Sequence, residues 1–168
     1  MSWPFRKVAS HAASDYTQGI IEALGEVELE EHYQVIIVGG GPVGVALAVD
    51  LGVRGINCAV VERHVTTQRI PKGQNLTQRS LEHFYFWGIS DELRAARLLP
   101  PGYPIGGITV YGNLMGDHRY SPVGREGVRS YYYEANERLP QYLTEEVLRR
   151  RMADFPEVTG FFGWEAET

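Results

Sequence analysis

The sequence predicts an α/β fold on three observations. A β-branched run, Val35-Ile36-Ile37-Val38, is followed by a glycine-rich turn, Gly39-Gly40-Gly41-Pro42-Val43-Gly44. That turn opens a helical stretch through Ala46, Leu47 and Leu51, and a second β-branched run ends at Val61. Strand, helix and strand in about 30 residues is the size of a βαβ crossover. Gly39, Gly41 and Gly44 satisfy G-x-G-x-x-G directly after the first strand and at the start of the helix, the context in which this spacing carries information. The unit is Rossmann-like and suited to a dinucleotide.

Each glycine has a separate steric task. Gly39 permits the sharp exit from the strand, Gly41 lets backbone N–H groups approach a pyrophosphate, and Gly44 lets the helix lie tightly on the strand. Pro42 and Val43 carry the chain from Gly41 into the helix, whose N-terminus faces the phosphate charge. Ala48, one turn beyond Gly44, continues the small face, and Gly55 stands where the helix must end. Glu62 closes the second strand about 20 residues past the turn, where a carboxylate accepts hydrogen bonds from an adenosine ribose. That contact requires a free 2′-hydroxyl, so FAD or NAD suits the site better than NADP.

Residues 1–32 precede this unit as a weakly structured extension, in which Ile20, Ile21 and Leu24 suggest one face of a short helix with an acidic end. Residues 33–168 form the domain. Beyond Val61 a polar connection, Arg63 to Lys72, leads to a helix over about Gln78 to Trp87. Thr77 is its N-cap, Leu81, Phe84 and Tyr85 form its apolar face, and Gly88 is its stop. A short helix follows from Asp91, capped by Ser90. Pro100 to Pro104 break regular structure, and Ile108 to Tyr111 and Val128 to Tyr133 read as strands of a small antiparallel excursion. Pro140 suits the first turn of a helix carrying Leu143, Val147, Leu148 and Met152, and Val158 to Trp164 reads as a returning strand. Within the strand read over Val128 to Tyr133 the aromatic run Tyr131-Tyr132-Tyr133 reads as packing and cross-strand pairing and is left without a ligand role.

Composition excludes several classes. A formal net charge of -5 is the wrong balance for a protein that neutralises a phosphate backbone, so no nucleic-acid partner is expected. The longest apolar runs fall far short of the roughly 20 residues of a membrane-spanning helix, and no signal-peptide core follows Met1 to Lys7. The single cysteine, Cys58, lies in an apolar stretch and reads as a buried core residue, in keeping with a reducing cytoplasm. The five histidines are scattered without ligand spacing, so no metal site is expected. No G-x-S-x-G or C-x-x-C motif supplies a nucleophile.

Downstream of the turn, Glu62-Arg63 and the segment Pro71-Lys72-Gly73-Gln74-Asn75-Leu76-Thr77-Gln78-Arg79-Ser80-Leu81-Glu82 are similar to those of the class A flavoprotein monooxygenases. These form the p-hydroxybenzoate hydroxylase-like group, and the resemblance is closest to its phenol-hydroxylating members. In that family Glu62-Arg63 matches the acidic-Arg end of the second strand, and the second segment matches P-R-A-x-x-L-x-x-R-[ST]-x-E. The resemblance covers roughly Tyr33 to Trp164 and makes FAD, rather than NAD, the tightly held cofactor. It places Lys72 near the FAD phosphates and ribityl chain; arginine is usual there, and lysine keeps the charge but not the two-pronged fork. The stretch Leu139-Pro140-Gln141-Tyr142-Leu143-Thr144-Glu145-Glu146-Val147-Leu148 carries a hydrogen bond to the ribityl chain onto Gln141.

The resemblance implies that NADH or NADPH reduces FAD transiently and that dioxygen supplies the atom inserted into a small phenol-like ring, the flavin performing the hard chemistry. No catalytic side chain is assigned. The family's downstream Asp-Gly and Gly-Asp motifs do not occur before Thr168, so the chain reads as incomplete relative to the family. By itself it is expected to bind FAD weakly and to hydroxylate nothing. An NAD-linked Rossmann oxidoreductase and a non-catalytic FAD-binding remnant are the alternatives. The phenol, the choice of nicotinamide coenzyme and the oligomeric state stay open.

Overall fold

The computed structural model describes residues 5–7, 32–70, 72–100, 109–120 and 127–167. The chain divides into two compact units, the first formed by residues 1–71 and 141–168 and the second by residues 72–140.

The first unit is built on three parallel strands in the order β2 (Val35–Val38), β3 (Cys58–Glu62) and β8 (Val158–Phe162). Register pairs Ile37 with Val60 and Val38 with Val61, while Val61 pairs onward with Phe161. The crossover from β2 to β3 is helix α1 (Pro42–Val53), and helix α4 (Gln141–Ala153) precedes β8. The two helices pack against each other and both touch β8. Side chains alternate along the strands. Ile37 and Val60 point towards the helices and are buried, whereas Tyr33, Ala59, Val61 and Phe161 form a cluster on the opposite face with Phe5 and Trp164 packed against it. Burial pushes the pKa of the Cys58 thiol up, which leaves it protonated and unreactive near neutral pH.

Helix α1 is nearly apolar all round, so its orientation comes from small residues rather than from a polar face. Ala48 and Gly52 are buried alongside Val45 and Val49. A Cβ on Gly52 would lie 2.7 Å from the Phe155 ring. We therefore expect Gly52→Ala to cost about 1–3 kcal/mol in urea unfolding, with dinucleotide affinity unchanged once the variant is folded. The helix ends as expected at Gly55, which adopts φ +68°. Gly55 N–H donates to Gly52 O and Ile56 N–H to Leu51 O, the paired bonds of a Schellman cap.

Part of the extension falls among the described residues. Phe5–Lys7 is strand β1, paired antiparallel with β9 (Trp164–Ala166). The helix read around Ile20 to Leu24 lies outside the described residues. Gly163, at φ +83°, separates β8 from β9, so the single strand read over Val158 to Trp164 is two. A break in a strand at a left-handed glycine is invisible to a pattern of apolar residues.

The second unit holds helix α2 (Gln78–Phe86) and helix α3 (Ser90–Ala95), which pack on each other. It also holds two small antiparallel pairs, β4 (Asn75–Leu76) with β7 (Glu137–Arg138) and β5 (Thr109–Val110) with β6 (Arg119–Tyr120). Thr77 caps α2 through Oγ1, which accepts from Ser80 N–H at 3.3 Å, and Gly88 at φ +75° ends the turn after it. Leu81 and Phe84 are buried, but Tyr85 is exposed and packs on Tyr133 with ring centroids 5.0 Å apart.

Two expectations fail here. Ser90 does not cap α3: the helix starts at Ser90, Ile89 is the N-cap, and the buried Ser90 Oγ has no hydrogen-bond partner. Val128 to Tyr133 is no strand, because Arg129–Tyr131 forms a 3-10 turn. Arg129 Nη1 donates to the carbonyl of Tyr132 at 2.9 Å, a local bond that holds the compact turn against an extended conformation.

Candidate functional site

The glycine turn lies between the end of β2 and the start of α1. Gly39 N–H donates to Val61 O at 2.8 Å, continuing the parallel ladder by one residue. Its φ of +111° then turns the chain out of the sheet, a conformation that L side chains rarely adopt. Gly41 is the N-cap of α1, at φ -75° and ψ -175°, and Pro42 occupies the first helical position. The hydrogen bonds of the helix begin with Val45 N–H to Gly41 O at 3.0 Å. The N–H groups of Val43 and Gly44 therefore stand ahead of the ladder, at the positive end of the helix dipole.

Gly44 and Gly41 answer opposite demands. A Cβ on Gly44 would lie 1.9 Å from Gly39 O; this glycine is required by the protein's own packing. A Cβ on Gly41 would meet nothing within 4 Å, and its backbone angles are open to any residue. The folded protein alone gives Gly41 no reason to be glycine. The space beside it, next to unused N–H donors, has the character of a cradle for an anion.

Glu62 ends β3 next to this turn. Its Oε2 accepts from Gly40 N–H at 2.8 Å and its Oε1 from His64 N–H at 2.8 Å. The carboxylate thus stands at the turn, half-buried, with a further lone pair on each oxygen. Arg63 is exposed and donates through Nε to His64 Nε2 at 3.2 Å. Gln141 opens α4, and its Nε2 donates to Glu145 Oε1 at 2.7 Å. Gly39, Gly41, Pro42, Val43, Gly44, Glu62, Arg63 and Gln141 belong to the first unit; Lys72 is exposed in the second. Arg79, also in the second unit, is exposed and pairs with Glu82 at 3.5 Å.

One charged residue escaped the sequence reading. Arg149 of α4 donates through Nη1 to Val65 O at 2.9 Å and through Nη2 to Gly40 O at 3.4 Å. Its guanidinium lies 4.2 Å from the centroid of the Phe162 ring. Burial pulls its pKa below the usual guanidinium value, opposed by the carboxylates of Glu145, Glu62 and Glu146. Gly40 is consequently held at both ends, its N–H by Glu62 and its carbonyl by Arg149. Three arginines, Arg149 to Arg151, separate the buried Leu148 and Met152 on this helix, and the sequence pattern alone does not single out Arg149 among them.

Among the described residues no group of three or more His, Cys, Asp or Glu could hold a metal ion, and no helix is long and apolar enough to cross a membrane.

Residues 32–168 match the family model described as FAD binding domain. The chain is 32% identical over 125 residues to 3-(3-hydroxy-phenyl)propionate/3-hydroxycinnamic acid hydroxylase 2 of Burkholderia vietnamiensis, covering 74% of this chain and 21% of that protein. It is 42% identical over 60 residues to a dialkyldecalin synthase of Streptomyces rugosporus, covering 36% and 13% respectively. Among solved structures it is similar to the flavin-dependent monooxygenase PieE in complex with FAD and substrate. There the TM-score is 0.65 at 28% identity, over 78% of this chain and 24% of that one. The chain thus spans a quarter or less of the length of each of these proteins.

Proposed function

Because this chain belongs to the FAD binding domain family, we propose that its glycine turn and Glu62 hold the adenosine diphosphate part of FAD for a flavin-dependent monooxygenase. The N–H groups of Val43 and Gly44, just after Pro42 and ahead of the first hydrogen bond of the helix ladder, face the pyrophosphate beside Gly41. Glu62 accepts from the adenosine ribose with the lone pairs left after Gly40 and His64, and Arg63 adds positive charge beside it. Gln141 takes a ribityl hydroxyl. When bound, the flavin supplies the redox chemistry, using electrons from NADH or NADPH and dioxygen to hydroxylate a small phenol-like ring. The side chains of this unit bind and orient it. A cytoplasmic setting is in keeping with the lone buried thiol of Cys58.

The observation that carries this reading is the open space at Gly41, set against the closed space at Gly44. The test is Gly41→Ala. Since the added methyl meets no protein atom, urea unfolding should change by no more than about 0.5 kcal/mol. The methyl would stand where the phosphates approach, so FAD affinity, followed by flavin fluorescence, should fall about tenfold or more. A Gly41→Ala protein that keeps both its stability and its FAD affinity would sink the assignment.

The NAD-linked alternative loses its footing to the match with an FAD family. A use of the same cofactor fold other than hydroxylation draws support from the similarity to a protein named as a dialkyldecalin synthase. FAD binding without oxygen transfer in the complete protein would favour it.

A further inference from the structure

Gln141, Glu145 and Arg149 recur every four residues on α4, a spacing that stacks side chains on one helix face over about 12 Å. The middle member is a carboxylate only 7% exposed, an uncommon location for a charged group without a task. Its Oε1 accepts from Gln141 Nε2 at 2.7 Å, and it is the foremost of the carboxylates whose charge favours the guanidinium form of Arg149. Arg149 in turn reaches Gly40 O in the glycine turn.

An ionised carboxylate only accepts hydrogen bonds, whereas a carboxamide has one accepting and one donating end. Glu145 therefore selects the NH2 end of Gln141. The amide cannot turn over without setting its carbonyl oxygen against the buried carboxylate, an arrangement with no proton between the two oxygens. What Gln141 presents to a ligand is its carbonyl oxygen, an acceptor.

We propose that Glu145 is a positioning residue: it fixes the Gln141 amide so that its oxygen accepts a hydrogen bond from a hydroxyl of the polyol arm of the bound flavin nucleotide. This rests on the assignment of the site to FAD. The ridge then divides recognition in two, with the glycine turn and Glu62 serving the adenosine diphosphate and Gln141 with Glu145 serving the ribityl chain. A glutamine at position 145 would accept the amide in either orientation and release this constraint, although its shape is nearly the same.

The experiment compares FAD with ADP, which has the diphosphate and adenosine but no ribityl chain, on the full chain by calorimetric and fluorescence titration. Glu145→Gln is expected to weaken FAD about tenfold while ADP stays within about twofold. Gln141→Ala should lose a similar factor, and the double variant should lose no more than either single one, because both changes remove the same contact. Equal losses for FAD and ADP, no loss for either, or additive losses in the double variant would overturn the proposal. Should Glu145→Gln fail to fold, Gln141→Glu reads the same contact by placing two carboxylates face to face, again with a loss confined to FAD. If the unaltered chain binds FAD no more tightly than ADP, the FAD assignment itself fails, an outcome separate from any behaviour of the variants.

Discussion

Replacing Gly44 by alanine is expected to destabilise the first unit by about 3 kcal/mol or more, at or above the upper end of ordinary overpacking, and to weaken FAD binding beyond about a hundredfold. The added Cβ would lie 1.9 Å from Gly39 O, 3.1 Å from Gly39 C and 3.2 Å from Ile37 Cγ2. Two of these three atoms are backbone, so no rotamer change relieves the contact. Nor is Gly39 free to retreat, since its N–H is bonded to Val61 O in the sheet ladder. The helix must lift off the strand, carrying the Val43 and Gly44 N–H groups away from the proposed phosphate position. Urea denaturation and flavin titration on one preparation measure the two effects. An alanine variant with the midpoint and FAD affinity of the parent would show that α1 does not rest on the turn as described. The contrast with Gly41→Ala is the sharper result, because two glycines three residues apart should separate stability from binding.

Glu62→Ala should carry the second largest effect, a loss of about 2 kcal/mol in stability from leaving a buried donor without its acceptor. Gly40 is buried, and its N–H has Glu62 Oε2 as partner at 2.8 Å. Water cannot fully replace that acceptor. Oε1 simultaneously holds the His64 N–H, so the side chain ties the turn to the loop after β3. Glu62→Gln keeps the shape but turns an NH2 group towards one of two N–H donors, and should fall between alanine and the parent protein. For ligands the expectation is opposite to that for Glu145. With the carboxylate at the adenosine end in the proposed site, ADP and FAD should weaken together, about tenfold or more. Calorimetry of Glu62→Ala with ADP decides the matter: unchanged affinity would leave Glu62 a structural cap of the turn and nothing more.

The Glu62 geometry adds something to the sequence reading. A carboxylate at the end of the second strand was expected to meet a ribose; the folded chain shows it already engaged by two backbone N–H groups. Both tasks are compatible, because an ionised carboxylate offers about four acceptor sites. The internal bonds hold the side chain in place before a ligand arrives, which spares the cost of ordering it on binding.

Where the sequence reading failed, a local hydrogen bond or a lone backbone angle had decided the outcome. Tyr131 to Tyr133 have the side chains of a strand, yet Arg129–Tyr131 form a 3-10 turn with the Arg129 guanidinium bonded to Tyr132 O just beyond it. Ser90 has the side chain of an N-cap, yet Ile89 occupies that place and the hydroxyl is buried without a partner. Gly163 divides what periodicity alone joins into one strand.

The sequence by itself determined the βαβ unit, the roles of Gly39, Gly44 and Gly55, the Thr77 cap and the Gly88 stop. These depend on backbone angles and on contacts within a few residues, and such requirements are written in the residue that meets them. Only the tertiary structure decided that Gly41 is open while Gly44 is closed, that Glu62 grips Gly40, and that Arg149 reaches across 109 positions of sequence to the same residue. Long polar side chains choose partners by what folding brings within about 3 Å of them, and a linear pattern holds no measure of that distance.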